Sequence, residues 1–249
     1  MAARAPYQGV IQILSYNRVF YAATAACIAS AMVGALFADG LLRLGILTAV
    51  VTALGWTVVS LAVSHYVYDR SPLYGLSWLA LRPKVWANIH AGLDETSETL
   101  QARLPGSESF IWDVFDAEQM TEPSIAQARA CPRSAGSRAA SWRNLPVKTE
   151  TLDAVFLMFV AHEFRRADAR HGFFREVARV LKNGGSVLVL EHLRDLPNFL
   201  AYGPGFFHFQ SRATWEAAFQ AAELTLRSDQ RITRFVHAFE LAKSPQGNA

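Results

Sequence analysis

The chain has 249 residues, of which 51% are hydrophobic and 18% are charged, and its formal net charge is +3. A soluble domain carries about 25% charged residues, so the composition excludes a disordered or fibrous chain and argues against a wholly soluble one. The net charge does not by itself indicate nucleic acid, and we expect no such partner. The two cysteines, Cys27 and Cys131, lie in unlike contexts and indicate neither a disulfide framework nor a cysteine-based metal site.

Two long uncharged runs lie in the first 65 residues, at 19–38 and 44–64. At about 1.5 Å per residue, each run is long enough to cross a hydrocarbon core about 30 Å thick. The alternatives are a cleaved signal peptide for the first run and a buried core helix for the second. A signal peptide has a shorter apolar region, and neither run shows the polar stripe of a soluble helix. We therefore predict a transmembrane helical hairpin over residues 19–64.

Positive charges flank the hairpin and are scarce in its loop. They are Arg4, Arg18, Arg70, Arg82 and Lys84 outside the hairpin, and Arg43 within it. Because the cytoplasmic flanks of membrane helices are enriched in Lys and Arg, we expect both termini and the folded domain on the cytoplasmic side of the inner membrane. Residues 1–18 would then be a cytoplasmic or interfacial segment, and residues 65–83 an interfacial linker.

Residues 84–243 show the pattern of an alternating α/β domain, followed by a flexible tail at 244–249. The clearest unit runs from the apolar strand 152–160 through an amphipathic helix, ended by Asn183-Gly184-Gly185, to the apolar strand 187–190. Such strands are typical of a parallel sheet covered on both faces. The other predicted elements are strands at 84–91, 109–115 and 232–241, helices at 96–104, 124–129 and 214–222, and a loop at 130–143 with at most a weak strand near its end.

Ligands of a parallel α/β sheet bind beyond the carboxyl ends of its strands. His162 and Glu163 follow the fourth predicted strand, and Glu191 and His192 follow the fifth. Each pair sets an acid beside an imidazole, which favours a general base at neutral pH, although a structural role for the histidines stays open. No spacing matches a dedicated metal motif, so we expect no metal.

The stretch from Leu145-Pro146 to His192 resembles the second half of the class I S-adenosylmethionine-dependent methyltransferases, particularly the ubiquinone and menaquinone C-methyltransferase branch. Its most specific piece is EVARVLKNGG at 176–185, preceded by LDAV at 152–155. The resemblance extends more weakly over 84–243. It implies an α/β, Rossmann-like class I methyltransferase sheet, here preceded by a two-helix transmembrane hairpin, with S-adenosylmethionine as the cofactor.

The cofactor loop departs from the family pattern. After its first strand the family has a glycine-rich turn that approaches the methionine portion of the cofactor, and here only Gly92 remains. The resemblance implies that His90 or Asp94 replaces the lost contacts to the amino-acid end of the cofactor. The alternative is that the domain no longer binds S-adenosylmethionine and serves as a scaffold.

Two further cofactor contacts follow from the resemblance. An acidic residue at the end of the second strand holds the ribose, and we expect Asp116 in this role, with Asp113 as the alternative. The family's acidic contact to the adenine is missing before the Leu-Pro pair, where Asn144, next to Leu145, would supply a neutral acceptor.

Residues 194–210 are strongly apolar and interrupted by Gly203, Pro204 and Gly205. In the family this region covers the acceptor, but it would equally pack as plain core. We predict a membrane-anchored methyltransferase that acts on a lipophilic small molecule such as a quinone, isoprenoid, polyene or lipid-linked phenol. Membrane lipid is an expected partner, and a membrane protein or a second copy stays open. The alternative is a catalytically inactive binding or scaffolding subunit of a membrane complex.

Overall fold

The computed structural model describes residues 5–130 and 136–243, so the predicted tail at 244–249, Cys131 and part of the loop at 130–143 lie outside the described residues. The helices are α1 (Gln8–Tyr16), α2 (Arg18–Leu36), α3 (Gly40–His65), α4 (Ser97–Arg103), α5 (Pro123–Arg129), α6 (Ala167–Val180), α7 (Leu196–Tyr202) and α8 (Arg212–Ala221). The strands are β1 (Val85–His90), β2 (Glu108–Asp113), β3 (Arg138–Ala139), β4 (Leu152–Met158), β5 (Leu181–His192), β6 (Leu224–Arg231) and β7 (Val236–Lys243). A π-helical turn, Tyr66–Arg70, follows α3, and 3₁₀ turns cover Ala161–Glu163 and Gly203–His208.

The described strands form one sheet in the order β3-β2-β1-β4-β5-β7-β6. Neighbouring strands from β3 to β5 are parallel, and β7 runs antiparallel between β5 and β6. The predicted α/β, Rossmann-like sheet is therefore confirmed. Strand β6 was missed by the sequence analysis, because its sequence LTLRSDQR is polar and almost wholly exposed and is held in the sheet by its pairing with β7.

Helix α6 and its neighbours cover one face of the sheet. Phe173, Phe174 and Val177 of α6 are fully buried and pack with Trp215 of α8 against the strands. The helix ends at Val180, and the chain enters β5 directly at Leu181, slightly before the predicted Asn-Gly-Gly stop. The apolar residues follow a helical period up to Val180 and form a continuous apolar strand run from Val187, which is why both elements could be predicted from the sequence.

The segment predicted as an interfacial linker packs on the opposite face of the sheet instead. Val67, Leu73 and Leu76 are fully buried and cluster with Trp86 of β1 and Phe156 of β4. Both faces of a parallel sheet need a cover, and α4, with only seven residues, leaves much of this face open. The core of the domain therefore begins before the expected boundary at residue 84.

Helices α2 and α3 form a hairpin with an apolar outer surface. Helix α2 and the continuous run Gly40–Arg70 are long and apolar enough to cross a membrane, by length and composition. Only 6% of each apolar window is buried, whereas the core helix of a soluble protein would be mostly buried. The observed helix bounds agree with the two predicted runs to within a few residues.

The N-terminal helix α1 is fixed to the turn that follows α3. The backbone N–H groups of Gly9 and Val10 donate to the Asp69 carboxylate at 2.6 and 3.2 Å, and a negative charge stabilises the free N–H groups of a helix start. The close approach requires glycine, because a Cβ atom at Gly9 would lie 2.4 Å from the Cβ of Tyr68. Helix α1 is thereby held beside the hairpin and next to the carboxyl ends of the central strands.

Candidate active site

A cavity of about 440 Å³ lies beyond the carboxyl ends of the central strands. Its walls come from three parts of the chain: the loop after β1, the residues after β4 and β5, and the three N-terminal helices. The lining includes His90, Asp94 and Thr96 from the first part, His162, Glu163 and His192 from the second, and Gln12, Tyr16, Tyr21, Ser60 and Ser64 from the third. The predicted catalytic edge of the sheet and the hairpin therefore share one space.

His162 is held between two carboxylates. Its Nδ1 lies 2.8 Å from Oε2 of Glu191, and its Nε2 lies 3.4 Å from Oε1 of Glu163. Burial alone would lower the pKa of His162, but the charges and hydrogen bonds of Glu191 and Glu163 outweigh it and raise the pKa to about 10. His162 is thus an imidazolium at neutral pH. In this form it orients the carboxylates of Glu191 and Glu163, and its predicted catalytic role stays a prediction.

Glu163 lines the cavity and has a buried carboxylate oxygen without a partner. Its Oε2 is buried and has no hydrogen-bond partner among the described residues. Burial would raise the pKa of Glu163, but the hydrogen bond and charge of His162 outweigh it and hold the pKa below its ordinary value. A buried ionised oxygen with an open acceptor position is costly unless a ligand donates to it.

His192 is neutral, and its tautomer follows from its neighbours. The side-chain amide of Asn198 donates to Oδ1 of Asp195 and to the backbone oxygen of Phe235, which leaves Oδ1 of Asn198 as the acceptor, 3.2 Å from Nδ1 of His192. Nε2 of His192 therefore accepts from the Tyr68 hydroxyl at 2.8 Å. Burial lowers the pKa of His192 to about 4.

The four predicted catalytic residues meet, but in a different pairing from the expected one. Glu191 pairs with His162 across the strands, while His192 turns to Tyr68, because consecutive residues of a strand point to opposite faces. Tyr68 was not anticipated. It belongs to the π-helical turn after the hairpin, far from His192 in the sequence, and a lone tyrosine in an apolar segment carries no signal for this contact.

A second charged cluster lines the cavity beside His162. The guanidinium of Arg165 donates to Oε1 of Glu122 at 3.0 Å and to the backbone oxygen of His208, and the His208 ring lies 5.1 Å from the His162 ring. The hydrogen bond from His208, together with Arg165, lowers the pKa of Glu122 to about 2. These contacts tie the 3₁₀ turn Gly203–His208 to the loop before α5, and they were not predicted from the sequence.

Hydrogen bonds of His90, at the end of β1, fix the conformation of the loop that follows. Nδ1 of His90 accepts from the Gly92 N–H at 3.2 Å, so Nε2 is the donor to Oγ of Ser137 at 2.8 Å. Gly92 has a φ of +127°, and a Cβ atom there would lie 2.4 Å from Cγ of Arg129. The structure therefore gives Gly92 both a conformation and a contact that require glycine.

Asp94 and Asn88 form the floor of the same end of the cavity. Oδ1 of Asp94 accepts from the N–H groups of Thr96 and Ser97 at 3.2 and 3.0 Å, at the start of α4. The amide nitrogen of Asn88 donates to Asp94, Thr96 and Ser97. Oδ1 of Asn88 is buried without a hydrogen-bond partner among the described residues. Asn88 was not among the predicted site residues.

The predicted end of the second strand needs a correction. Strand β2 ends at Asp113, paired with His90 at the end of β1, and not at Asp116 as the apolar pattern had suggested. Both carboxylate oxygens of Asp113 lie 2.9 Å from Nη1 of Arg129. Asp116 accepts from Nε1 of Trp142 at 2.7 Å and lies outside the cavity lining. Asp113, which also lies outside the cavity lining, is therefore the residue at the end of the second strand, and the ribose role stays a prediction.

Asn144 and Leu145 also lie outside the cavity lining. The backbone N–H of Leu145 donates to Oε1 of Glu176 at 2.6 Å, which fixes this loop to α6. The Asn144 N–H donates to the backbone oxygen of Ser141 at 3.1 Å. Their role as adenine contacts stays a prediction.

The methionine end of S-adenosylmethionine fits the loop after β1. Asn88 offers a buried, unpartnered amide oxygen, which suits the cofactor's ammonium group. Asp113, at the end of β2 and outside the cavity lining, has the carboxylate that suits the ribose hydroxyls, and it is paired with Arg129. The residues at the methionine end therefore fit the group, and the ribose contact requires Asp113 to exchange its pairing with Arg129.

The opposite pKa shifts of the two histidines predict a maximum of thermal stability near pH 6.5, their ordinary pKa. The contribution of His162, whose pKa is raised, is fully present below pH 6.5 and is lost as the pH rises towards about 10. The contribution of His192, whose pKa is lowered, is present above pH 6.5 and is lost as the pH falls towards about 4. Melting temperatures in detergent between pH 4 and 10 measure the stability lost on the acidic limb, below pH 6.5, and on the alkaline limb, above it.

The matched variants separate the two limbs. His162→Gln should flatten the alkaline limb and leave the acidic one, and His192→Gln should do the reverse. An alkaline limb that is unchanged in His162→Gln would mean that His162 is not the charged partner of Glu191.

Comparison with known proteins shows what the domain is similar to. Residues 112–200 match the family model described as a methyltransferase domain. A search of curated proteins finds no match to this chain.

Among solved structures, the chain is similar to an S-adenosylmethionine-dependent methyltransferase from Aquifex aeolicus, with 14% identity, a TM-score of 0.53, and coverage of 71% of this chain and 90% of that one. It is similar to an O-methyltransferase family 2 protein from Planctomyces limnophilus in complex with apigenin, with 14% identity, a TM-score of 0.52, and coverage of 82% and 68%. It is also similar to a chain from a complex between the Haloferax volcanii methyltransferase activator Trm112 and a candidate methyltransferase, with 15% identity, a TM-score of 0.53, and coverage of 73% and 92%.

At these identities the solved structures show the fold alone, and the family model matches the middle part of the domain, residues 112–200. The strand order, the antiparallel β7 and the match over residues 112–200 agree with one another. The chain after the hairpin has the α/β, Rossmann-like fold of methyltransferases, and the match of residues 112–200 to the methyltransferase-domain model, together with this fold, implies S-adenosylmethionine as the cofactor.

Proposed function

We propose that this protein is a membrane-anchored enzyme that transfers a methyl group from S-adenosylmethionine to a lipophilic small molecule. The observation that carries the proposal is the shared cavity, which runs from the loop after β1, past His162 and Glu163, to Tyr21 and Ser60 of the hairpin. A cofactor at one end and an acceptor at the other would meet beside Glu163. The two apolar helices support the anchor, and the mostly apolar surface of the cavity as a whole, together with its position beside the hairpin, supports the acceptor class.

The residues of the cavity have separate tasks in this reaction. Bound S-adenosylmethionine supplies an electrophilic methyl group on a sulfonium, so the protein chiefly has to align the acceptor and remove any proton it releases. Asn88 and Asp113 would hold the cofactor's ammonium and ribose, and Glu163 would take the proton through Oε2. His162 keeps Glu163 ionised and oriented, and its charge is balanced by Glu191.

The proposed setting is the inner membrane, with both termini and the domain on the cytoplasmic side. The acceptor class includes quinones, isoprenoids, polyenes and lipid-linked phenols, which partition into the bilayer next to the cavity. The larger number of positive charges outside the hairpin loop supports the orientation. A protein partner or a second copy is compatible with this arrangement.

Calorimetry of the detergent-solubilised protein with S-adenosylhomocysteine tests the first half of the proposal. Saturable binding is expected. The absence of heat at high ligand concentration would leave the scaffold interpretation instead. Incubation of the protein with S-[methyl-¹⁴C]-adenosylmethionine and a membrane lipid extract tests the second half, and label is expected in the organic phase. Label that stays in the water-soluble fraction would overturn the lipophilic acceptor.

Arg129→Ala is expected to tighten S-adenosylhomocysteine binding about fivefold, equivalent to about 1 kcal/mol. Arg129 covers Asp113 with two contacts at 2.9 Å, and the cofactor must displace it to reach that carboxylate. Binding isotherms of the variant and the parent measure the effect. Arg143→Ala is the matched control, since Arg143 pairs with Asp116 outside the cavity. Weaker binding in Arg129→Ala would mean that Arg129 itself contacts the cofactor.

A further inference from the structure

The aromatic segment, defined as residues 196–209, packs closely along the side of α3. The rings of Phe199 and Trp56 have centroids 5.8 Å apart. Gly203 lies against the same indole, because a Cβ atom there would be 2.9 Å from a Trp56 ring carbon. The segment is therefore fixed at the level of Trp56 and not at the end of the helix.

The length of α2 sets the depth of Trp56 in a bilayer. Helix α2 has 19 residues, or about 28 Å, so it crosses a hydrocarbon core about 30 Å thick only if nearly its whole length lies inside. Tyr21, in the first turn of α2, lies close to Ser60 of α3 in the cavity wall, which places Ser60 near the cytoplasmic boundary. Trp56 is one helical turn further in, so its depth below the start of α2 is about 10 Å.

The outer side of the aromatic segment is apolar and exposed. Leu196, Leu200 and Phe207 expose 66%, 59% and 63% of their surface, although they lie beside the apolar surface of the hairpin. An apolar patch that continues a membrane-spanning surface is covered most simply by the same lipid. Arg194, just before the segment, donates to the backbone oxygens of Phe207 and Phe209, which gives the patch a cationic edge suited to headgroups.

The inner side of the same segment lines the active-site cavity. Tyr202, Gly205 and Phe209 contribute to the lining, next to Tyr21 and Ser60 of the hairpin. The cavity wall between the segment and the hairpin therefore lies at the depth of the acyl chains.

We propose that the aromatic segment is immersed in the cytoplasmic leaflet as a third membrane contact, and that the cavity opens sideways into the acyl-chain layer between this segment and the hairpin. The occupant of the outer face is lipid acyl chain. An acceptor would then enter from the leaflet without crossing water. This inference rests on the membrane anchoring proposed above.

Site-directed spin labelling of the full chain in phosphatidylcholine and phosphatidylglycerol nanodiscs tests this placement. The background carries Cys27→Ser and Cys131→Ser, and single cysteines are introduced by Leu200→Cys and Phe207→Cys. Val51→Cys on α3 is the membrane control, and Glu118→Cys on the domain surface is the water control. Power saturation compares collisions with oxygen, which partitions into acyl chains, and with a water-soluble nickel chelate.

The ratio of oxygen to nickel collision rates for labels at 200 and 207 is expected to match the ratio at 51 and to exceed the ratio at 118 several-fold. Water-like values at 200 and 207 beside a lipid-like value at 51 would overturn the immersion and leave the anchor intact. A water-like value at 51 would overturn both. The substituted side chains are exposed, so the variants should fold. Binding of S-adenosylhomocysteine checks the fold of each variant. If Leu200→Cys or Phe207→Cys fails to fold, Leu196→Cys takes its place.

Discussion

Replacing Gly92 by valine should abolish binding of S-adenosylhomocysteine while the domain stays folded. Gly92 has a φ of +127°, a conformation that side chains bearing a Cβ rarely adopt. A Cβ atom would also lie 2.4 Å from Cγ of Arg129, in the loop that faces the cofactor end of the cavity. Strain at this position must shift either the loop or Arg129, and in both cases the shape of the cofactor end changes. We expect the affinity to fall at least about 100-fold, or about 2.7 kcal/mol.

Calorimetry with S-adenosylhomocysteine measures the loss, and circular dichroism in the same detergent checks the fold. Gly75→Val is the matched control, because this glycine has an ordinary φ and its nearest atom to a built Cβ is 3.7 Å away. In the double variant Gly92→Val with Arg129→Ala the clash is relieved but the backbone strain remains, so a partial recovery is expected. Unchanged affinity in the single variant would show that the cofactor binds elsewhere.

The sheet was predictable from the sequence where apolar runs are continuous. Strands β4 and β5 and helix α6 carry enough buried side chains for their periods to be read directly, and the resemblance rested on the same stretch. Strand β6 was not predictable in this way, because an exposed polar edge strand is defined by its partner and not by its own pattern. The end of β2 was misplaced for the same reason: its pairing stops at Asp113, where β1 ends, although apolar residues continue along the chain.

The chemistry of the site was predictable as a set of residues but not as a set of contacts. His162, Glu163, Glu191 and His192 stood out because they follow two parallel strands. Their protonation depends on tertiary partners: two carboxylates make His162 a cation, while burial keeps His192 neutral. The partner of His192 is Tyr68, which comes from the segment that joins the hairpin to the domain. Sequence reasoning places residues at a strand end, but it does not give the side-chain directions that decide such contacts.

Substitution of Glu163 by glutamine should lower turnover by about a hundred- to ten-thousand-fold, the usual contribution of a general base. Glutamine keeps the size of the side chain and its contact with His162, but its amide cannot take a proton at neutral pH. Glu163 is our choice for this role because it lines the cavity, its buried Oε2 has no hydrogen-bond partner among the described residues, and its lowered pKa keeps it ionised at neutral pH. Affinity for S-adenosylhomocysteine should change little, so the loss should appear in kcat and not in cofactor binding.

The pH profile separates proton removal by Glu163 from a purely structural role. Since the pKa of Glu163 is lowered, the wild-type rate should stay level as the pH falls through 7 to 5 and decline only below the ordinary pKa of a glutamate. His162→Gln removes the cation that keeps Glu163 ionised, and it should move this decline to higher pH while part of the activity remains. An acidic limb near neutral pH in the wild type would contradict this assignment, because it would point to a histidine as the base. So would a Glu163→Gln variant that retains full turnover.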